Sequence, residues 1–229
     1  MTEDISFADL MASSIHDMKN SVNVQINELE VIALQAQARG DLDAFKSLIG
    51  VIGQTHRMNA NLIQLLTLYK LGKLIYPLDI AEQSVLDVID EALLQTRFML
   101  EFKGIQVEVD CEPDCYWYFD RDLITGVFLN AINNAFLYTR DKIRVSASIV
   151  NGLLLLRVED NGSGYPDSML RSEGIQTCKG VDFLKGVTGL GFYFSSQVAR
   201  MHLHNGICGM LIIENGGAYG GGCFVVKLP

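Results

Sequence analysis

The chain has 229 residues, 49% hydrophobic and 20% charged, a globular balance with enough length for one large domain or a small element plus a compact one. A formal net charge of −9 excludes a nucleic-acid backbone as the main partner, because phosphate tracking needs a basic field; it leaves open a single nucleotide held by local groups and a metal ion. The start, Met1-Thr2-Glu3-Asp4, is acidic with no long apolar run behind it, so no secretory leader is expected. The longest greasy stretch, Gly152 to Leu156, is far short of the roughly 20 residues a spanning helix needs, and a cytoplasmic chain without membrane insertion is the expectation. Five cysteines (Cys111, Cys115, Cys178, Cys208 and Cys223) form no framework and read as free thiols in a reducing compartment, with zinc not expected.

The first seventy residues contain no proline and three glycines. Ala8, Met11, Ile15, Met18, Val22, Gln25, Leu29, Ile32 and Ala36 recur at alternating spacings of three and four, one apolar seam along a helix roughly 40 Å long. Gly40 stops this helix and Asp41 is the next N-cap. A second seam runs through Phe45, Leu48, Ile52, Thr55, Asn59, Leu62, Leu66 and Tyr69, so the two helices form an antiparallel hairpin. Ile26, Ile49, Ile63 and Leu65 widen the stripe beyond what one hairpin buries. Pairing with a second copy into a four-helix bundle is the expected remedy; the alternative is packing on the chain's own second domain. The domain reading is 1–72 for the hairpin, 73–78 for a linker around Gly72 and Pro77, and 79–229 for a second domain.

Beyond the linker the periods mix. Ala81 to Glu101 reads as a helix, Ile105 to Val109 and Tyr116 to Phe119 as short strands, and Asp120 as the N-cap of a helix reaching about Tyr138. Lys142 to Val150 and Leu153 to Glu159 alternate as strands about an Asn151-Gly152 turn. Leu190 to His202 reads as a helix, and Ile207 to Ile213 and Cys223 to Leu228 as closing strands. The fold class is α+β: an N-terminal helical hairpin, then a two-layer α/β sandwich.

Three motifs carry chemistry. Asn130 and Asn134 lie one turn apart on a largely apolar helix, where a carboxamide oxygen can ligate Mg²⁺ and its amide can meet a phosphate; capping or surface asparagines are the plainer reading. Asp160-Asn161-Gly162-Ser163-Gly164 ends a strand, so the Asp160 carboxylate can accept from an exocyclic amine and distinguish adenine from guanine, although Asp and Gly are also common in loops. Gly186-Val187-Thr188-Gly189-Leu190-Gly191 precedes a helix and bares backbone N–H groups to phosphate, without the lysine of a Walker loop. A glycine-rich turn, Gly220 to Gly222, leads into the last strand.

In this order the motifs resemble the ATP-binding domain of the gyrase, chaperone, histidine kinase and MutL superfamily, over roughly Pro77 to Pro229. The resemblance implies ATP and Mg²⁺ as cofactors, with Asn134 on the metal, Asn130 near the phosphates and Asp160 on the adenine amine. It also implies Tyr138 against the base, Gly162, Gly164, Gly186, Gly189 and Gly191 around the nucleotide, and a mobile lid between Gly164 and Gly186. Lys179 and Lys185 in that lid can meet phosphate or serve solubility alone.

On the first helix His16, Asp17 and Asn20 resemble the H-box of dimerising histidine kinases. This implies His16 as phospho-acceptor, Asp17 as base and Asn20 as the residue that positions water for dephosphorylating a regulator. The implied function is autophosphorylation of His16 and transfer to an aspartate on a response-regulator receiver domain, in a homodimer driven by a separate sensor protein, a ligand or a further region. The alternatives are a nucleotide-binding signalling scaffold, and a serine kinase or anti-sigma switch of the same superfamily. His56 is the rival acceptor, followed by Arg57 instead of an acid. The chain departs from the family pattern at Ser21-Val22, where a proline is usual, at Leu137, where a lysine is usual, and in the lid, where Phe183 stands for a Pro-Phe signature.

Overall fold

The computed structural model describes residues 7–73, 75–170 and 189–229, with side chains from residue 13 onward. The chain divides into two compact units, Met1–Pro77 and Leu78–Pro229.

The first unit is a helical hairpin of α1 (Phe7–Ala38) and α2 (Leu42–Gly72). Gly40 takes φ of 73° in the turn, and the Asp41 side chain accepts from Ala44 N at 3.1 Å, capping α2. The line of α1 that is buried runs Val22, Ile26, Ala33 and Ala36, and that of α2 includes Phe45, Ile49 and Ile52. This corrects part of the expected seam: Met18 and Ile32 are 54% and 45% exposed. A helix presents only about a third of its circumference to one neighbour, so positions that alternate at three and four split between the hairpin interface and the outside. Asn59 Nδ2 donates to Asn23 Oδ1 at 2.7 Å across the hairpin, which gives the polar Asn59 of the α2 line a partner on α1.

The second unit begins with β1 (Ala81–Ser84), which pairs antiparallel with β3 (Tyr116–Phe119), and α3 (Val85–Phe102). The expected helix over Ala81–Glu101 therefore starts late. Ser84 holds φ −70° and ψ 120°, caps α3 by accepting from Asp87 N, and stays extended beside β3 together with the three residues before it. Next come β2 (Gln106–Asp110), α4 (Arg121–Tyr138), β4 (Lys142–Val150), β5 (Leu153–Asp160), a turn of helix α5 (Asp167–Leu170), α6 (Gly189–Met201), β6 (Leu203–His204), β7 (Ile207–Cys208), β8 (Met210–Gly216) and β9 (Gly221–Leu228). One strand expected over Ile207 to Ile213 is two: β6 and β7 make a small hairpin about Asn205 and Gly206, both at positive φ, and Gly209 breaks the chain before β8.

Five strands form one sheet in the order β2-β4-β5-β9-β8, with β2 parallel to β4 and the other pairs antiparallel. Ile143 and Val145, Leu154, Leu156 and Val158, and Phe224, Val226 and Leu228 fall in register on one buried face. Leu123, Ile124, Val127, Phe128, Ala131 and Ile132 of α4, with Phe194 and Val198 of α6, are buried with them. The other face is mixed: Leu155, Val225 and Cys223 are buried at its centre, and toward the β2 edge Arg144 on β4 pairs with Asp110 at 2.6 Å and Glu108 at 3.3 Å, charges that resist further strand pairing. Among the described residues no helix is long and apolar enough to cross a membrane.

Candidate functional site

Strand period places the central carboxylate of the second unit. Asp160 is in phase with Leu154, Leu156 and Val158, so its side chain belongs to the helix-covered face, at the strand end where that layer opens. It is 7% exposed. Its Oδ1 accepts from Gly162 N at 2.6 Å and Gly222 N at 3.3 Å. These bonds orient the carboxylate, and Oδ2 remains as an acceptor for a ligand.

The two asparagines of α4 differ. Asn130 is buried, its Nδ2 donating to Ser195 Oγ of α6 at 3.0 Å, and its Oδ1 fills the space a Cβ at Gly191 would need. Gly191 is thus glycine so that the start of α6 can close on α4. Asn134, one turn on, is half-buried and makes no protein hydrogen bond among the described residues, so its carboxamide is available to a cation. A single carboxamide oxygen suits Mg²⁺, which keeps waters and takes phosphate oxygens for the rest of its shell. Tyr138 ends α4 half-exposed, and Leu137, where the family's lysine would stand, is exposed. Gly189 opens α6; Gly186, Lys179, Lys185 and Phe183 lie outside the described residues.

Several residues that shape this site escaped the sequence reading. Asn161 Oδ1 accepts from Thr139 Oγ1 and the backbone N–H groups of Arg140, Asp141 and Lys142 at 2.8–3.2 Å, tying the end of α4 to the glycine turn. Asn215 on β8 grips Tyr165 from both sides: its Oδ1 accepts from Tyr165 N at 2.6 Å and its Nδ2 donates to Tyr165 O at 2.8 Å. Glu159, buried, accepts from Ala218 N at 3.1 Å and holds the β8–β9 turn. Asn161 carried a signal, since it lies inside the motif. Asn215 carried none, because its partner is 50 residues away in sequence.

In the first unit His16 projects from α1, with 57% of its side chain exposed. Asp17 Oδ1 is 3.5 Å and Asn20 Nδ2 3.4 Å from the same ring atom, Nδ1. Nε2 is left for a reaction partner. His56, by contrast, is half-buried, its Nε2 3.5 Å from Glu30 Oε1 on the opposite helix of the hairpin.

Residues 119–229 match the family described as histidine kinase-, DNA gyrase B- and HSP90-like ATPase. The chain is 25% identical over 179 residues to the signal transduction histidine-protein kinase AfsQ2 of Streptomyces coelicolor, covering 78% of this chain and 32% of that one. It is 33% identical over 96 residues to the sensor protein kinase WalK of Staphylococcus aureus, covering 37% of this chain and 22% of that one. The chain thus spans about a third or less of the length of these relatives. Two solved structures share the fold. The histidine kinase AdeS of Acinetobacter baumannii has a TM-score of 0.58 at 20% identity, over 89% of this chain and 96% of that one. Full-length ShkA in complex with AMPPNP has a TM-score of 0.63 at 18% identity, over 98% and 46%. The family match over residues 119–229 and the named relatives together make the chain similar to sensor histidine kinases, with a histidine kinase-, DNA gyrase B- and HSP90-like ATPase stretch in its second unit.

Proposed function

We propose that this chain binds ATP with Mg²⁺ in its second unit, phosphorylates His16 and passes the phosphoryl group to an aspartate of a response-regulator receiver domain. The observation that carries the reading is the environment of His16: an exposed imidazole with an adjacent carboxylate 3.5 Å from Nδ1, and with Nε2 open. Asp17 favours the tautomer with the proton on Nδ1, which puts a lone pair on Nε2. That lone pair attacks the γ-phosphorus in line, the bond from phosphorus to the β–γ bridging oxygen breaks, and ADP departs. The ring becomes cationic as the N–P bond forms, and Asp17 holds or removes the Nδ1 proton. In the second unit Asp160 would read the adenine amine, Tyr138 would lie against the base, and Gly162, Gly164, Gly189 and Gly191 would allow close backbone approach. Asn134 would ligate Mg²⁺, which neutralises phosphate charge when bound. Asn130 would act on the phosphates only through the α4–α6 contact it braces.

We further propose that the working form is a homodimer through the hairpin. Val51, Met58 and Leu65 are 49%, 48% and 44% exposed and seven residues apart on α2; Val24 and Val31 on α1 are 57% and 54% exposed at the same spacing. A heptad interval brings side chains back to nearly the same helix face, so each helix carries an uncovered apolar stripe that a second hairpin would bury.

Incubating the full chain with γ-labelled ATP and Mg²⁺ tests the kinase reading. The expected product carries an acid-labile, base-stable label that is lost in His16→Gln and kept in His56→Gln. Acid-stable label would replace the reading with a serine kinase, and nucleotide binding without label would replace it with a scaffold.

A further inference from the structure

Tyr165 follows the glycine turn that carries Asp160. Its ring is partly buried and stands edge-on to Phe192 of α6, with centroids 5.9 Å apart and planes at 73°. A Cβ on Gly222 would fall 2.9 Å from Asp160 Oδ2, 3.3 Å from Tyr165 Cε2 and 3.6 Å from Tyr165 Cζ, the carbon that bears the hydroxyl. The phenol ring and the open oxygen of Asp160 therefore lie side by side at Gly222, where any side chain would crowd both. Asn215 clamps the Tyr165 backbone on both its N–H and its C=O, so the ring's origin is fixed before any ligand arrives. Among the described residues the Tyr165 hydroxyl makes no hydrogen bond, whereas a phenol in such a place ordinarily finds a partner. Burial, reinforced by the Asp160 charge, pushes the hydroxyl pKa up, so it keeps its proton and can donate.

A fixed donor beside a fixed acceptor is a two-point reader. Adenine presents an amine donor at N6 next to an acceptor at N1; guanine presents an acceptor at O6 next to a donor at N1. We propose that Tyr165 is a specificity-determining residue of the nucleotide site, its hydroxyl donating to adenine N1 while Asp160 accepts from N6. The proposal rests on the nucleotide reading above. Guanine would face both groups with the wrong partner, and a site that leaves buried polar groups unpaired rejects a ligand far more strongly than one that merely fits it poorly.

The test compares the full chain and Tyr165→Phe for binding of ATP, of 1-deaza-ATP, in which a C–H replaces N1, and of GTP. The phenylalanine keeps the packing on Phe192 and removes one oxygen. The wild-type chain should bind ATP about 5- to 10-fold more tightly than 1-deaza-ATP, the worth of one hydrogen bond. Tyr165→Phe should lose that same factor for ATP, bind 1-deaza-ATP as wild type does, and discriminate less against GTP. Equal weakening of ATP and 1-deaza-ATP would show a packing role and overturn the proposal. So would wild-type protein that does not distinguish ATP from 1-deaza-ATP, a result that needs no variant and leaves the nucleotide reading intact. Wild-type protein that binds no ATP at all would instead overturn the nucleotide reading and the proposal with it.

Discussion

The imidazole of His16 faces two neighbours that ask opposite things of it. Nδ1 must carry a proton to donate to Asp17, and must lack one to accept from the Asn20 amide, yet both lie about equally far from it, at 3.5 and 3.4 Å. Only the first arrangement leaves a lone pair on Nε2. Asp17→Ala is therefore expected to slow labelling about 100-fold or more, within the range of roughly 10²- to 10⁴-fold for a positioned acid–base group. Asn20→Ala should leave labelling near the wild-type rate and impair dephosphorylation of the regulator. Single-turnover labelling and a regulator dephosphorylation assay read the two effects separately. Equal labelling defects in both variants would contradict the division of roles.

Helices and turns hold these side chains through contacts with quite different reach. The outward stripe of α2 is regular enough to be tested as a unit. Replacing Met58 by Lys puts a charge midway between Val51 and Leu65, and sedimentation should show the dimer dissociating to a folded monomer, since residues facing α1, such as Ile49 and Ile52, are untouched. In the second unit the turn between α4 and β4 is organised by one carboxamide. Asn161→Ala removes the acceptor shared by the N–H groups of Arg140, Asp141 and Lys142, and should lower the stability of that unit by about 1 kcal/mol in urea denaturation. ATP affinity should fall with it, because Asn161 directly follows Asp160 in the glycine turn.

Stability of the second unit depends on a histidine that the chemistry does not use. His202 is 2% exposed, donates from Nδ1 to Val198 O at 2.8 Å, and accepts at Nε2 from Asp120 N at 3.0 Å. It links the end of α6 to the residue whose side chain caps α4. Burial lowers its pKa from 6.5, outweighing the Val198 carbonyl and the Asp120 charge, which act in the other direction. The unfolded chain then binds more protons than the folded one just below pH 6.5, so this contribution is complete above that pH and declines as the pH falls through it. Urea unfolding between pH 7 and 5.5 should show stability dropping by at most about 1.4 kcal/mol per pH unit from this group. In His202→Gln that slope should flatten.

Local chemistry was readable along the chain wherever it acts between near neighbours. The Gly40 turn with its Asp41 cap, the Asn151-Gly152 hairpin, α4 from its Asp120 cap to Tyr138, and the motif around Asp160 all depend on residues a few positions apart, and the structure has them where composition and spacing put them. The strand β1, read as the first turn of a helix, owes its form to β3 more than thirty residues later, and no local preference records that pairing. Asn130 and Asn134 look alike in sequence, yet one is bound to Ser195 and the other is open, because only the packing of α6 on α4 tells them apart. Asn215 and Tyr165 meet across 50 residues, and Gly222 matters for the space it leaves beside both Tyr165 and Asp160. Periodicity and capping are short-range effects written into consecutive residues; which polar groups end up satisfied, and which stay open for a ligand, follows from long-range packing that brings distant parts of the chain together.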